Sequence, residues 1–163
     1  MSQHYAVVSA RIRQELQDIQ RVVERVERAI IAARQRPEDQ DLYLDSVALN
    51  LHDFYAGLER VFEQIATTLD QSLPAGREWH RDLLRQMTVA IPQNRPQVLS
   101  IETVKLIDEY LRFRHVVRNI YTFEFDPVRL EHLAEQLRPT FAQVQLELLA
   151  FANFLDQLAQ KGP

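Results

Sequence analysis

The 163-residue sequence has no cysteine, only three glycines, and only two lysines among its 19 basic residues. Without cysteine the chain has no disulfides, no thiolate metal ligands and no cysteine nucleophile. Gly57, Gly76 and Gly162 lie too far apart to form a phosphate-binding loop or a dinucleotide fingerprint. No apolar run approaches the ~18 residues of a membrane span, and the first residues lack a signal-peptide core. We therefore expect a cytoplasmic protein that does not insert into membranes.

The composition is that of an ordinary globular domain. Apolar residues make up 46% of the chain and charged residues 26%. The length predicts a single domain over residues 1–163, large enough to bury a core. The net charge is −4 at pH 7, so general attraction to nucleic acid is not expected. Any anion-binding site must therefore be local.

Apolar residues recur every three or four positions along most of the chain, as in amphipathic helices. Four of the predicted helices run from Tyr5 to before Pro37, through Leu44–Leu69, from Arg77 to about Ala90, and from Pro127 towards Gln160. Gly57 would permit close packing in the second of these, and Pro139 would kink or split the last. No strand pattern is present. The predicted fold class is all-α, an antiparallel bundle of about five helices.

Residues 112–121 read Arg-Phe-Arg-His-Val-Val-Arg-Asn-Ile-Tyr and concentrate polar groups of several kinds. They fall in a further predicted helix of about residues 101–125, with Ser100 as its N-cap. On a helical wheel the apolar members of the stretch share one side, while Arg114, His115, Arg118 and Asn119 occupy the other. Because arginine binds phosphate or carboxylate through two parallel hydrogen bonds, this face predicts an anionic ligand.

Several familiar chemistries are excluded by spacing. No histidine has a carboxylate three residues before it, which removes the usual di-iron bundle site, and the His-Glu-x-x-His motif is absent. We expect neither a metal nor a cofactor. Adjacent arginine and histidine can cleave RNA without one, since histidine takes the ribose 2′-OH proton and arginine stabilises the phosphorane. The alternative is that Arg114 and Arg118 form ion pairs with carboxylates such as Asp108 or Glu109.

The block 111–121 resembles the signature helix of HEPN-domain proteins. It is most similar to the HepT-like ribonuclease toxins that are encoded beside minimal nucleotidyltransferases of the MNT type. Their motif is Arg, a polar residue, three further residues, His, one residue and Tyr. Arg114 fills the first position, His115 the polar position and Tyr121 the last. Residues 78–87 also resemble the region upstream in that group, and the all-α layout covers essentially the whole chain.

The resemblance implies a metal-independent endoribonuclease that cleaves RNA in a cleft formed by the motif helices of a homodimer. Arg114, His115 and the residue at the motif histidine position would be catalytic, while Arg112 and Arg118 would bind RNA. The implied partner is an MNT-type nucleotidyltransferase antitoxin, which silences the toxin by adenylylating Tyr121. A bulky anionic group there would occupy the arginines that RNA phosphate requires.

The chain departs from the motif at one position, where Asn119 replaces the histidine. Asparagine has no titratable nitrogen and cannot act as an acid or base near neutral pH. Three explanations remain open: a natural variant without cleavage activity, a deliberately disarmed copy, or proton transfer by His115. The first two are favoured, because the His115 position points elsewhere than the motif base.

Two other functional hypotheses belong to different classes. The chain would be a non-catalytic HEPN-like dimeric module that binds a nucleotidyltransferase or a nucleotide, or a helical scaffold whose arginines only make ion pairs. The polar residues Arg77, His80, Arg81 and Arg85 are interpreted as a solvated helix face rather than as a basic rim. Trp79 is interpreted as a core or interface anchor.

Overall fold

The computed structural model describes residues 2–162, which form five α-helices and no strand. The helices are α1 Ser2–Gln35, α2 Gln40–Ile65, α3 Trp79–Gln86, α4 Ile101–Asn119 and α5 Pro127–Gln160. The predicted all-α fold class is confirmed. None of the helices in this range is long and apolar enough to cross a membrane.

Helices α1 and α2 pack closely in opposite directions. The Arg60 guanidinium binds the Glu15 carboxylate at 2.9 Å, and one turn further along α1 the side chain of Ile19 faces Gly57. A Cβ atom at Gly57 would lie 2.8 Å from Cγ1 of Ile19. The predicted role of this glycine in close packing is therefore confirmed.

Helix α5 lies antiparallel along α1. Arg13 pairs with Asp156 at 2.8 Å, and Glu27, further along α1, pairs with Arg138 at 2.5 Å. Helix α5 is continuous through Pro139, so the predicted split is wrong. The apolar faces of α1, α2 and α5 form the core on which α4 rests.

Helix α3 is shorter than predicted, and the loop that connects it to α4 is held in place by hydrogen bonds. The chain from Met87 to Leu99 returns to α4 through the loop that holds Arg95. The Arg95 side chain is 1% exposed and binds both carboxylate oxygens of Asp70, at 2.6 and 2.8 Å. It also donates to three backbone carbonyls, so this buried charge is fully paired.

The N-terminus of α4 is anchored to α5. Ser100 is the N-cap, as predicted, and its Oγ accepts from the Thr103 amide at 3.1 Å. The Glu147 carboxylate of α5 accepts from the Ser100 amide at 2.5 Å and from the Thr103 hydroxyl. Although burial opposes it, these hydrogen bonds hold the pKa of Glu147 below its ordinary value.

Helix α4 ends at Asn119, before the predicted end near residue 125. Ile120 adopts an extended conformation (φ −131°, ψ 161°), and the amide of Tyr121 donates to the Glu124 carboxylate at 3.2 Å instead of continuing the helix. A short 3₁₀ turn, Thr122–Glu124, follows. The predicted cap of α5 is correct, because Asp126 accepts from the Val128 amide at 3.0 Å.

Candidate functional site

Helix α3 and the middle of α4 enclose a cavity of about 470 Å³, here called the α3–α4 groove. Its lining residues are Arg77, Glu78, His80, Arg81, Leu111, Arg112, Arg114 and His115. Three residues predicted to form the site, Arg112, Arg114 and His115, therefore meet basic residues of α3. The groove combines four guanidinium groups and two imidazoles, a set suited to an anion with several oxygens.

The other predicted site residues lie outside the groove. Arg118 and Asn119 are exposed in the last turn of α4, and Tyr121 follows the end of the helix. Tyr121 is 72% exposed. Its ring stacks on Phe123 with centroids 5.3 Å apart and an interplanar angle of 9°. The motif is thus divided between the groove and an exposed helix end.

In residues 2–162 the ion pairs proposed for the motif arginines are absent. Within residues 2–162, neither Arg114 nor Arg118 has a carboxylate oxygen within 4.0 Å. The Asp108 carboxylate pairs instead with Arg112 at 2.9 Å and with Arg81 at 3.8 Å. Arg114, which is half-buried on the groove wall, therefore keeps its hydrogen-bonding capacity for a ligand.

The interpretation of residues 77–85 as a solvated face is wrong for His80 and Arg81. His80 Nδ1 lies 2.6 Å from the carboxylate of the buried Glu59 on α2, and its ring packs against Trp79 with centroids 3.7 Å apart and an interplanar angle of 31°. Arg81 is half-buried, and its buried Nε has no hydrogen-bond partner in the described chain. Glu59 and His80 come from different helices, so no spacing rule within one helix predicts their contact.

Helix α2 also places Tyr55 close to this cluster. Burial and the Glu59 carboxylate raise the pKa of the Tyr55 phenol far above its ordinary value, while the charge of Arg114 acts in the opposite direction. The phenol is therefore neutral, and Glu59 lies outside hydrogen-bonding geometry from its oxygen. The Glu59 carboxylate of α2 therefore lies next to His80 of α3, and Arg114 of α4 is near the neighbouring Tyr55.

Asn119, at the motif histidine position, is bound back to its own helix. Its Nδ2 donates to the backbone carbonyl of His115 at 2.6 Å and lies 3.4 Å from Nδ1 of that ring. An amide in this position holds the last turn of the helix together but cannot exchange a proton with a substrate. The His115 ring itself is exposed at the groove.

A larger cavity of about 590 Å³ lies between α1 and α2, but both of its arginines are already paired with other lining residues. Arg60 binds Glu15 at 2.9 Å, and Arg11 binds Gln64 at 2.9 Å. No group of three or more histidine, aspartate or glutamate residues in the described chain is arranged to hold a metal ion. The α3–α4 groove is therefore the better candidate site.

The described residues thus combine an all-α bundle with a basic groove along the motif helix. A family model described as HepT-like protein matches residues 46–155, which include α3, α4 and most of α2 and α5. The chain belongs to this HepT-like family. No curated protein and no solved structure matches the chain.

Proposed function

We propose that this HepT-like protein is the toxin subunit of a HEPN–MNT toxin–antitoxin pair and cleaves RNA without a metal ion. The observation that carries the proposal is the α3–α4 groove, in which Arg114 is half-buried and has no carboxylate partner within the described residues. Arg81 of α3 lines the same groove, where its guanidinium lies 3.8 Å from the Asp108 carboxylate. A phosphodiester would supply oxygen acceptors to the Arg114 guanidinium.

The chemistry follows from the charge that develops during cleavage. Attack of the ribose 2′-oxygen on phosphorus places additional negative charge on the nonbridging oxygens. Arg114 stabilises this charge, while Arg112 and Arg118 bind neighbouring phosphates. The proton of the 2′-OH needs an acceptor within hydrogen-bond reach, and Asn119 cannot provide one. The histidines of the groove, His80 and His115, remain for this role.

The test is a cleavage assay with single-stranded RNA and the purified chain in a buffer containing EDTA. Arg114→Ala should reduce the cleavage rate by about 10²–10³-fold, as loss of one donor to a developing oxyanion does elsewhere. Arg21→Ala removes an exposed arginine of α1 and is the matched control, with an unchanged rate. Equal rates for both variants and the unaltered chain would contradict this role of Arg114.

Tyr121 is the proposed site of silencing by the antitoxin. Its phenol oxygen would attack the α-phosphorus of ATP, forming the Tyr–AMP bond and releasing pyrophosphate. The high exposure of Tyr121 supports this assignment, because a modifying enzyme must reach the phenol. Incubation with the nucleotidyltransferase and ATP should add AMP to the unaltered chain but not to Tyr121→Phe. Addition of AMP to that variant would refute the assignment.

We further propose that the chain acts as a homodimer in which two motif helices form one RNA cleft. Arg118 and Asn119 at the end of α4 are exposed and available to a second copy. Light scattering should give the mass of a dimer at micromolar concentration. A monomer there would contradict the composite cleft.

A second candidate function is a non-catalytic dimeric module that binds a nucleotidyltransferase or a nucleotide. The observation that favours it is the Asn119 amide, which is bound to the His115 carbonyl and replaces the only histidine of the motif. Asn119→His separates the two functions. If neither the unaltered chain nor this variant cleaves RNA while both dimerise, the module is correct.

A further inference from the structure

We propose that His80, oriented by Glu59, is the proton acceptor of the α3–α4 groove. This inference rests on the proposed ribonuclease function and supplies the group that Asn119 cannot provide. It differs from the family motif, because His80 lies on α3 and not on the motif helix.

The first argument is the geometry of the His80–Glu59 pair. Nδ1 of His80 lies 2.6 Å from Oε2 of Glu59, whose residue is only 8% exposed. A carboxylate at this distance accepts a hydrogen from Nδ1, so the neutral ring carries its lone pair on Nε2. The same division of roles, in which a buried carboxylate fixes the ring and the far nitrogen exchanges the proton, serves catalytic histidines in unrelated folds.

The second argument is the availability of Nε2. In the described chain this nitrogen has no hydrogen-bond partner, and the residue lines the groove. Packing against Trp79, with ring centroids 3.7 Å apart, further restricts rotation of the imidazole. Within residues 2–162 the His115 ring has neither a carboxylate partner nor an aromatic neighbour of this kind. Its Nδ1 instead contacts the exposed Asn119, at 3.4 Å. His80 is therefore the better-organised proton acceptor of the two.

The third argument is the surrounding charge. Arg81 and Arg114 line the same cavity as His80, so a phosphate bound by their guanidinium groups would lie beside the imidazole. Arg114 has no carboxylate within 4.0 Å in residues 2–162, whereas Arg81 lies 3.8 Å from Asp108. A proton acceptor next to a cation that lacks a carboxylate partner is what phosphodiester transesterification requires.

The proposed step balances without an additional reactant. Nε2 of His80 takes the proton of the ribose 2′-OH, the 2′-oxygen forms a bond to phosphorus, and the bond from phosphorus to the 5′-oxygen breaks. The leaving 5′-oxygen takes a proton from water. The products are a 2′,3′-cyclic phosphate and a 5′-hydroxyl, and imidazolium returns its proton to solvent.

The experiment measures RNA cleavage and RNA binding by the full chain with His80 replaced. His80→Ala should lower the cleavage rate by about 10²-fold or more, the usual contribution of a general base, while RNA binding persists. Added imidazole should restore part of the rate, which loss of a purely structural contact would not allow. His80→Gln, which keeps a donor for Glu59 but has no titratable nitrogen, should show the same loss and guards against misfolding of the alanine variant.

His132→Ala is the control, because this exposed histidine of α5 lies outside the groove. The variant protein should cleave RNA at the unaltered rate. As a positioning residue, Glu59 is tested by Glu59→Gln, which should lower kcat but cause no further loss in the His80→Ala background. Full cleavage by a folded His80 variant would overturn the His80 assignment and leave the ribonuclease proposal standing. Absence of cleavage by the unaltered chain, with RNA still bound, would overturn both.

Discussion

At the scale of single residues, the core contains two buried tyrosines whose hydroxyl groups have different surroundings. The Tyr110 hydroxyl donates to the carbonyl of Leu133 at 2.8 Å, which links α4 to α5. The Tyr55 hydroxyl is buried without a hydrogen-bond partner in the described chain. A buried polar group without a partner destabilises the folded state, whereas a paired one contributes modestly to stability.

This difference predicts opposite effects of the same substitution. Tyr110→Phe should lower the free energy of unfolding by about 1–2 kcal/mol, because the Leu133 carbonyl loses its donor. Tyr55→Phe should leave the free energy of unfolding unchanged or raise it by up to about 1 kcal/mol. Urea denaturation of both variants beside the unaltered chain provides the measurement. A loss at Tyr55 as large as that at Tyr110 would show that its hydroxyl is paired in solution.

The sequence predicts some site residues and not others for a physical reason. Arg114 and His115 are visible because both lie on one helix, where spacing fixes the face that a side chain occupies. The pairing of His80 with Glu59 depends on how α3 packs against α2, which no periodicity within either helix specifies. In the sequence, His80 beside Trp79 is compatible with either a structural or a functional histidine. Only its contact with the Glu59 carboxylate in the folded chain distinguishes the two roles.

At the scale of helices, the contact of α1 with α2 depends on the absence of a side chain at Gly57. Gly57→Ala improves helix propensity by about 1 kcal/mol. The new Cβ, however, would lie 2.8 Å from Cγ1 of the buried Ile19, and overpacking of this kind costs about 1–3 kcal/mol. We expect a net loss of stability, measured as a lower thermal midpoint. Combination with Ile19→Val, which keeps Cγ1, should not relieve the loss, whereas Ile19→Ala should relieve the steric part.

The anchoring of α4 by Glu147 predicts a dependence of stability on pH. Since the pKa of Glu147 is lowered in the folded state, its contribution is complete above the ordinary glutamate pKa and is lost as pH falls through the lowered value. Glu147→Gln should cost about 1–2 kcal/mol at pH 7, because charged hydrogen bonds to Ser100 and Thr103 are weakened. The loss should shrink at acid pH. The measurement is denaturation of both proteins over about pH 3–7, a range that includes the ordinary glutamate pKa. A difference in free energy of unfolding that stays constant over this range would contradict the anchoring role.

The predicted helices agree with the structure where apolar periodicity is long and fail where local hydrogen bonds compete. Seams of apolar residues specify α1 and α5 over many turns, including the passage through Pro139. The end of α4 depends instead on Glu124, which binds the Tyr121 amide at 3.2 Å. Such a turn satisfies the backbone as well as a helix does, so apolar spacing alone places this end too late.

At the scale of the whole molecule, the charge distribution is uneven. The chain carries a net charge of −4, yet the α3–α4 groove is lined by four arginines and one glutamate. For the proposed RNA ligand, long-range attraction should therefore be weak, and binding should depend on contacts within about one Debye length, ~8 Å at physiological salt. The protein should bind short unpaired segments rather than long duplexes.

A local basic groove predicts a modest dependence of RNA affinity on salt. For single strands the slope of log K against log salt is about −0.7 per phosphate contact, so two to four contacts give roughly −1.4 to −2.8. Arg114→Gln should reduce the slope by about 0.7, whereas Arg21→Gln should leave it unchanged. Affinity titrations at several salt concentrations test this. A much steeper slope would place RNA on a surface larger than the groove.

The contact of Trp79 with His80 has an optical consequence. Trp79 is the only tryptophan of the chain, and its ring centroid lies 3.7 Å from that of His80 at the groove. Indole fluorescence depends on the immediate surroundings of the ring, so the emission of Trp79 reports on its contact with His80. The same signal should change when RNA displaces water from the groove, which makes occupancy of the site observable in real time without a dye.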